Sequence, residues 1–211
     1  PEDYKAFLAG EEKNAAHIFG AHERTVNGVK GVLFNVWAPK ALSVSVVGEF
    51  NKYDGRVHLM ERIEDTGVFE LFIPGLAAGC GYMYEIKRQG KGTTRKLDPV
   101  SRQISSVPIT ASVVSDENMS DSYAWNDGLW MIKRKKEAGK KKPVTVYEVS
   151  LTDWLKEKSA DELVDFVKQE GYTHVCFLPV AEYLNEEMNG YSTLGYFAVT
   201  HRTGGRDAFK K

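Results

Sequence analysis

The sequence predicts a mainly β protein with a βα segment: a β-sandwich of short strands followed by a βαβ unit. Three observations carry this reading. Apolar residues recur at every second position over Val32, Phe34 and Val36, and Val44 and Val46 alternate with Ser43 and Ser45, the period of strands with one buried face. Turn residues separate such runs, at Pro74-Gly75 and at Gly79-Cys80-Gly81. Beyond Pro143 the texture changes to two apolar strands joined by one amphipathic helix, which implies a parallel pair covered on both faces.

In chain order, residues 1–20 mix charges with Tyr4, Phe7 and Leu8 and read as a short helical or irregular lead-in. Leu33 and Trp37 blur the first alternation, as in a strand packed on both faces, and Trp37 is placed in the core. Strands are expected at 68–73 and 82–87, and a last one at 107–114 would close the sandwich. The Ser-, Asp- and Asn-rich stretch 115–122 then leaves the domain, whose extent is 21–120. Residues 121–143 read as a solvated basic linker, with seven basic residues and one acid between Lys133 and Lys142. The basic run lacks the interleaved aromatics of a single-strand platform, so nucleic acid is not the expected partner. A strand at 144–151, a helix at 159–171 and a strand at 173–180 form the βαβ unit of a segment 144–211. The helix has its own punctuation: Ser159 and Glu162 as a capping box, Leu163, Phe166 and Val167 as its apolar face, and Gly171 as its stop.

Composition narrows the function classes. With 211 residues, 42% of them hydrophobic, and a net charge of -1, the chain suits one domain or two small ones and gives no reason to expect a polyanionic partner. No apolar run approaches the roughly 18 residues that span a bilayer. Cys80 and Cys176 are expected as free thiols in a reducing, cytoplasmic setting. The five histidines lack metal-ligand spacing, so neither a metal nor a cofactor is expected. The chain opens on Pro1 and nothing before Ala15 reads as a signal peptide, which suggests a trimmed beginning.

Several strings taken together resemble one family. Gly20-Ala21-His22, Phe34-Asn35-Val36-Trp37-Ala38-Pro39, Val44-Ser45-Val46-Val47-Gly48-Glu49-Phe50-Asn51, Asp54-Gly55-Arg56, Phe69-Glu70-Leu71-Phe72-Ile73-Pro74-Gly75 and Asp98-Pro99 resemble, in order and spacing, the amino-terminal module of bacterial glycogen branching enzymes. Val146-Tyr147-Glu148-Val149 with Trp154, Gly171-Tyr172-Thr173-His174-Val175, Leu178-Pro179-Val180-Ala181-Glu182, Gly190-Tyr191 and Gly195-Tyr196-Phe197-Ala198-Val199-Thr200 resemble the opening of that family's barrel. The resemblance implies an immunoglobulin-like β-sandwich of carbohydrate-binding module family 48 followed by an incomplete (β/α)8 barrel. It also implies α-glucan, such as glycogen or a maltooligosaccharide, as the partner, with the remainder of the barrel in the full-length protein. Three strings depart from the family pattern: Phe50-Asn51-Lys52-Tyr53 for Phe-Asn-Gly-Trp, Asn189-Gly190-Tyr191-Ser192 for Trp-Gly-Tyr-Gln, and Ser150-Leu151-Thr152-Asp153-Trp154 for His-Leu-Gly-Ser-Trp. These bear on sugar contacts more than on the fold.

By the resemblance, Tyr191 lines the subsite where the sugar at the cleaved bond stacks, and Tyr53 is the aromatic of the glucan-binding turn. The competing readings are a tyrosine packing its loop on the barrel mouth and a turn tyrosine packing on its own domain. Trp125, Trp130 and Trp154 are expected at the interface between sandwich and barrel. Glu148, Asp153 and Glu182 are the carboxylates nearest the carboxyl ends of the barrel strands, and none is given a catalytic role. A retaining transferase needs a nucleophile and an acid about 5–5.5 Å apart. The family draws them from later strands, so this chain is expected to be inactive alone. The reaction implied is transfer of an α-1,4 glucan chain to a 6-hydroxyl. A stand-alone glucan-binding protein, or part of a debranching or trehalose-releasing relative, is the alternative.

Overall fold

The computed structural model describes residues 2–105, 109–116 and 123–211. Two short helices lead in, α1 (Glu2–Leu8) and α2 (Ala15–Ile18). Nine strands follow: β1 (Gly20–Val26), β2 (Val29–Trp37), β3 (Ser43–Val47), β4 (Glu61–Ile63), β5 (Val68–Pro74), β6 (Gly81–Arg88), β7 (Gly92–Lys96), β8 (Ile104–Ser105) and β9 (Ala111–Val113). They form two antiparallel sheets. One has the order β1-β2-β5-β4; in the other β3 lies on one side of β6, and β7 and the β9-β8 pair share its other side.

The alternation in the sequence is what lets the two sheets meet. Val32, Phe34 and Val36 of β2 face Val44, Val46, Tyr82 and Tyr84 of the opposite sheet, and all seven are buried. Phe34 and Tyr82 meet edge-to-face at 5.0 Å across the layer. Each such side chain removed from water contributes about 1.5–3 kcal/mol. The lead-in packs on the outer face of the first sheet, where Tyr4 and Phe19 meet Val68 in a second buried cluster. Gly48 admits the close passage of β6, since a Cβ there would lie 2.5 Å from the Gly81 carbonyl.

Trp37 corrects the sequence reading. It ends β2 on the face away from Val32, Phe34 and Val36, against Phe7 of α1, and α1 leaves it 46% exposed. The hairpin strand β7, Gly-Thr-Thr-Arg-Lys, gave no periodic apolar signal; its register is set by pairing with β6, Glu85 against Arg95. Of the strand expected at 107–114, β9 is the described part, and residues 107 and 108, like the loop residues 117–122, lie outside the described residues.

Within the stretch read as a solvated linker, α3 (Gly128–Glu137) forms a ten-residue helix. Its apolar residues are uncovered: Leu129 is 85% exposed, and Trp130, Met131 and Ile132 are exposed too. Trp125 and Trp130 therefore do not pack between the two regions as expected.

The second region holds β10 (Val146–Val149), α4 (Leu151–Glu157), α5 (Ala160–Gln169), β11 (His174–Phe177), β12 (Ala181–Tyr183), β13 (Thr193–Val199) and α6 (Gly205–Lys210). β10 and β11 pair in parallel, Tyr147 with Val175 and Val149 with Phe177. The capping box forms: the Ser159 hydroxyl accepts from the Glu162 N–H, and the Glu162 carboxylate accepts from the Ser159 N–H. Phe166 of α5 packs on Tyr147 of β10 at 5.1 Å and on Trp154 at 5.8 Å. Trp154 thus belongs to this packing, its indole N–H donating to the Ser159 carbonyl. The first strand is shorter than the expected 144–151 because the Ser150 hydroxyl caps a new helix, α4, at the Asp153 N–H. β12 and β13 pair antiparallel with irregular register. The two regions touch where Ile104 of β8 meets Gly195 of β13, so closely that a Cβ on Gly195 would lie 2.5 Å from Ile104 Cδ1. Among the described residues no helix is long and apolar enough to cross a membrane.

Candidate functional sites

On the sandwich, the turn after β3 is built around Asn51. Its side-chain oxygen accepts from the Gly48 N–H at 3.0 Å, and its amide donates to the Val46 carbonyl at 2.9 Å. The same amide lies 2.9 Å from His58 Nδ1. The chain then turns back through two successive left-handed residues, Lys52 and Tyr53, with φ of 55° and 59°. The Tyr53 N–H donates to the Gly48 carbonyl, and Arg95 of β7 donates to the Tyr53 carbonyl at 2.9 Å. The Arg95 guanidinium carbon lies 5.6 Å from the Tyr53 ring centroid, and its Nε is 3.1 Å from Glu85. Tyr53 is therefore held by its own domain while its ring also lines a groove of about 650 Å³ with Phe50, Cys80, Gln103 and Ile109. The polar character of β7 hid Arg95 from the sequence reading; Glu85, ten residues earlier on the partner strand, is the signal that could have found it.

Asp54 follows the turn and forms an exposed ion pair with Arg56 at 2.7 Å. The side-chain hydrogen bond from Arg56 holds its pKa down at about 2. Behind the sheet, Asp98 is fully buried and accepts from the Tyr82 hydroxyl at 2.5 Å, the Tyr84 hydroxyl at 3.5 Å and the Val100 N–H at 2.9 Å. Burial pushes its carboxyl up, and these hydrogen bonds only partly offset it.

In the second region, the end of β10 and the residues after β11 border a cleft of about 130 Å³ that Ser150, Thr152, Asp153, Leu178, Tyr183 and Asn189 help to line. Tyr191 lies in the loop between β12 and β13, 64% exposed, outside that lining. The loop bends at Asn189 and Gly190, both left-handed; a Cβ on Gly190 would lie 2.9 Å from the Pro179 carbonyl. Tyr53 and Tyr191 thus stand at separate places, one on each region.

The three carboxylates near this cleft differ. Glu148 is exposed, and Asp153 is engaged by Lys156 at 2.7 Å. Glu182 is buried: one oxygen accepts from Arg202 Nη1 at 2.8 Å and the Tyr183 N–H at 3.1 Å, the other from the His201 N–H at 2.9 Å, with His201 Nδ1 also at 2.9 Å. Burial alone would raise its pKa, but the hydrogen bonds from His201 outweigh it and the carboxyl stays below its ordinary range. Arg202 completes the cluster by lying over the Tyr183 ring at 4.1 Å. With both oxygens committed, Glu182 ties β12 to the turn at 200–202 that follows β13 and is a poor proton donor. Among the described residues no cluster of His, Cys, Asp and Glu could hold a metal ion, and Cys80 and Cys176 are unpaired.

Comparison with known proteins places this geometry. Residues 18–101 match the family described as carbohydrate-binding module 48 (isoamylase N-terminal domain). The chain is 41% identical, over 99% of its length, to the 1,4-alpha-glucan branching enzyme GlgB of Methylococcus capsulatus, and it spans 29% of that relative. The corresponding enzyme of Thiobacillus denitrificans is 42% identical over 97% of the chain, which covers 28% of it. The chain thus spans less than a third of the length of the curated relatives it matches. Among solved structures, a pullulanase from Bacillus acidopullulyticus superposes with a TM-score of 0.58 at 21% identity, covering 87% of this chain and 25% of that one. The catalytic module of the pneumococcal glycogen-degrading factor SpuA gives 0.59 at 21%, covering 87% and 32%. At that identity the two structures speak for the fold alone. Residues 18–101 thus match carbohydrate-binding module 48 and fold as a β-sandwich, in a chain similar over nearly its whole length to the first part of 1,4-alpha-glucan branching enzymes.

Proposed function

We propose that the sandwich binds α-glucan in the groove beside Tyr53 and that the protein to which this chain belongs is a glucan branching enzyme. The observation that carries this is the 41% identity to a branching enzyme across both regions, beyond the module itself. The groove suits a sugar: the apolar faces of Phe50 and Tyr53 match the C–H face of a glucose ring, while Gln103 and Ser105 offer hydrogen bonds to hydroxyls. Arg95 fixes the Tyr53 ring beforehand, which lowers the ordering cost of binding.

In this reading the module occupies 21–120, residues 121–143 connect, and 144–211 open an α-amylase-type (β/α)8 barrel with β10, α5 and β11 as its first βαβ unit. The cleft at the carboxyl ends of β10 and β11 is where such barrels place their chemistry, and Tyr191 is the stacking platform beside it. The whole protein would cleave an α-1,4 linkage, hold the donor chain covalently and pass it to a 6-hydroxyl. No carboxylate described here is assigned to that step, since Glu182 and Asp153 are committed to Arg202 and Lys156. The cytoplasm is the proposed location, consistent with two unpaired cysteines.

Native electrophoresis through gels containing glycogen tests the binding part. Retarded migration that Tyr53→Ala relieves supports the groove; mobility indifferent to glycogen removes it, and equal retardation of Tyr53→Ala clears Tyr53. Iodine-stained amylose incubated with the 211-residue chain should keep its absorbance. A shift toward branched product would overturn the assignment of chemistry to residues outside this chain.

A further inference from the structure

The string Asp54-Gly55-Arg56 and the carboxylate of Glu85 lie beside the Tyr53 turn without lining its groove. Val44, Val46 and Tyr84 point into the core, so Ser45 of β3 and Glu85 of β6, which pair across the strands, lie on the outer face of their sheet. Arg95 of β7 stands directly opposite Glu85 on the other side and shares that face. The chain leaving the Tyr53 turn passes over the same place, with Gly55 above Glu85 and Ser45.

Tyr53 is a bulky residue at positive φ, and such a conformation persists only where its surroundings fix it. Arg95 grips it at two points, donating to its carbonyl at 2.9 Å and lying over its ring at 5.6 Å. A half-exposed guanidinium on a flexible stem keeps such a pose only when it is held in turn. Glu85 holds it, accepting from Arg95 Nε at 3.1 Å through Oε2. The other carboxylate oxygen, Oε1, lies against Gly55, where a Cβ would overlap it and stand 2.9 Å from Cδ. Gly55 is not among the left-handed glycines, so the backbone does not require glycine there. The space taken by Glu85 does.

We infer that Glu85 is a positioning residue of the Tyr53 site and that Gly55 is glycine so that Glu85 can act. Glu85 sets the guanidinium of Arg95, Arg95 sets the backbone and ring of Tyr53, and the ring meets a glucosyl unit already oriented. The guanidinium takes one face of the ring, so the platform is one-sided and suits a chain lying along the groove. An exposed ion pair adds little to the stability of the fold, so the effect of this one falls on the pose of Tyr53. This rests on the reading of the groove as a glucan site, and the test separates the two.

Titration calorimetry of the 211-residue chain with maltoheptaose measures the binding, and NMR of ring-labelled tyrosine follows Tyr53. Glu85→Gln and Gly55→Ala should each weaken maltoheptaose roughly two- to tenfold, the cost of ordering a side chain no longer held beforehand. The Cβ of Gly55→Ala meets the far end of a flexible side chain, so the thermal unfolding midpoint should stay as in the parent. In both variants the Tyr53 ring signals should shift and lose their contacts with Arg95, while those of the buried Tyr82 and Tyr84 stay in place. On top of Tyr53→Ala, which itself weakens binding, neither substitution should cost more. Parent-like affinity in either variant, Tyr53 signals that do not move, or a further loss beyond Tyr53→Ala would overturn the inference and leave the groove as a glucan site. A parent chain that does not bind maltoheptaose would remove both readings.

Discussion

The sandwich and the segment after it use strands of similar apolar character, yet bury them very differently. Val32, Phe34, Val44 and Val46 are wholly buried, whereas all four residues of β11, including Val175 and Phe177, are exposed. The difference is one of partners. Each sandwich strand finds an opposing sheet within the same stretch of chain, while β10 and β11 have each other, α5 and the ring of Phe209 in α6. Their buried carboxylates differ in the same way. Asp98 is held by tyrosine hydroxyls and a backbone N–H and is pushed up; Glu182 is held by His201 and Arg202 and is pushed down. Apolar sequence thus states that a surface will be covered, and the neighbours decide where and by what.

The largest expected effect breaks the comparison if it fails. Phe34→Ala should cost about 3–5 kcal/mol of unfolding free energy, and Phe177→Ala under about 1 kcal/mol, because only the first leaves a cavity. Urea denaturation followed by fluorescence measures both, and equal losses would mean that β11 is covered in solution. Next, Glu182→Ala should destabilise the second region by about 2–3 kcal/mol, since it strips Arg202 of its buried partner. Amide exchange should then quicken along β12 and β13 but not along β2 or β6; quickening everywhere would show one cooperative unit.

Acid sharpens the contrast further. The folded pKa of Glu182 lies below its unfolded value near 4.3, so its contribution is whole above that pH and disappears as pH falls through the folded value. Asp98 runs the other way: its folded pKa lies above about 3.9, so the benefit of its protonation is present at low pH and lost as pH rises through the folded value. Exchange protection should therefore fall at β12–β13 by on the order of 1 kcal/mol between pH 6 and 3, and Glu182→Gln should flatten that fall. A Glu182→Gln profile that still parallels the parent would assign it to other groups. The smallest effect is Ser159→Ala, about 1 kcal/mol, confined to α5 and read from helical amide exchange.

The sequence was most readable where one residue's surroundings are local. The capping box at Ser159 and Glu162 lies within one turn, and the alternation of β2 follows from the pleat alone. Less readable were features fixed by a neighbour. Arg95 acquires a role at Tyr53 only through the β6–β7 register, and Trp37 lies on the outer face of β2, where the lead-in helix α1 covers it only in part. α3 was hidden because its basic residues resemble a solvated linker, and α4 because Ser150 ends one element and caps the next. Of the candidate sites, the positions of Tyr53 and Tyr191 were legible from motif strings, while Arg95, which holds Tyr53, and His201 and Arg202, which hold Glu182, were not.

Both sandwich sheets draw all their strands from residues before Val114. A nascent chain therefore holds every element of the module well before β10 leaves the ribosome. At synthesis rates of about 5–20 residues per second, the module has several seconds in which to close before the slower, sparsely covered parallel pair appears. That order of emergence lets the part of the chain that buries its own apolar faces settle first and serve as a folded neighbour, through Ile104, for the β-hairpin that follows.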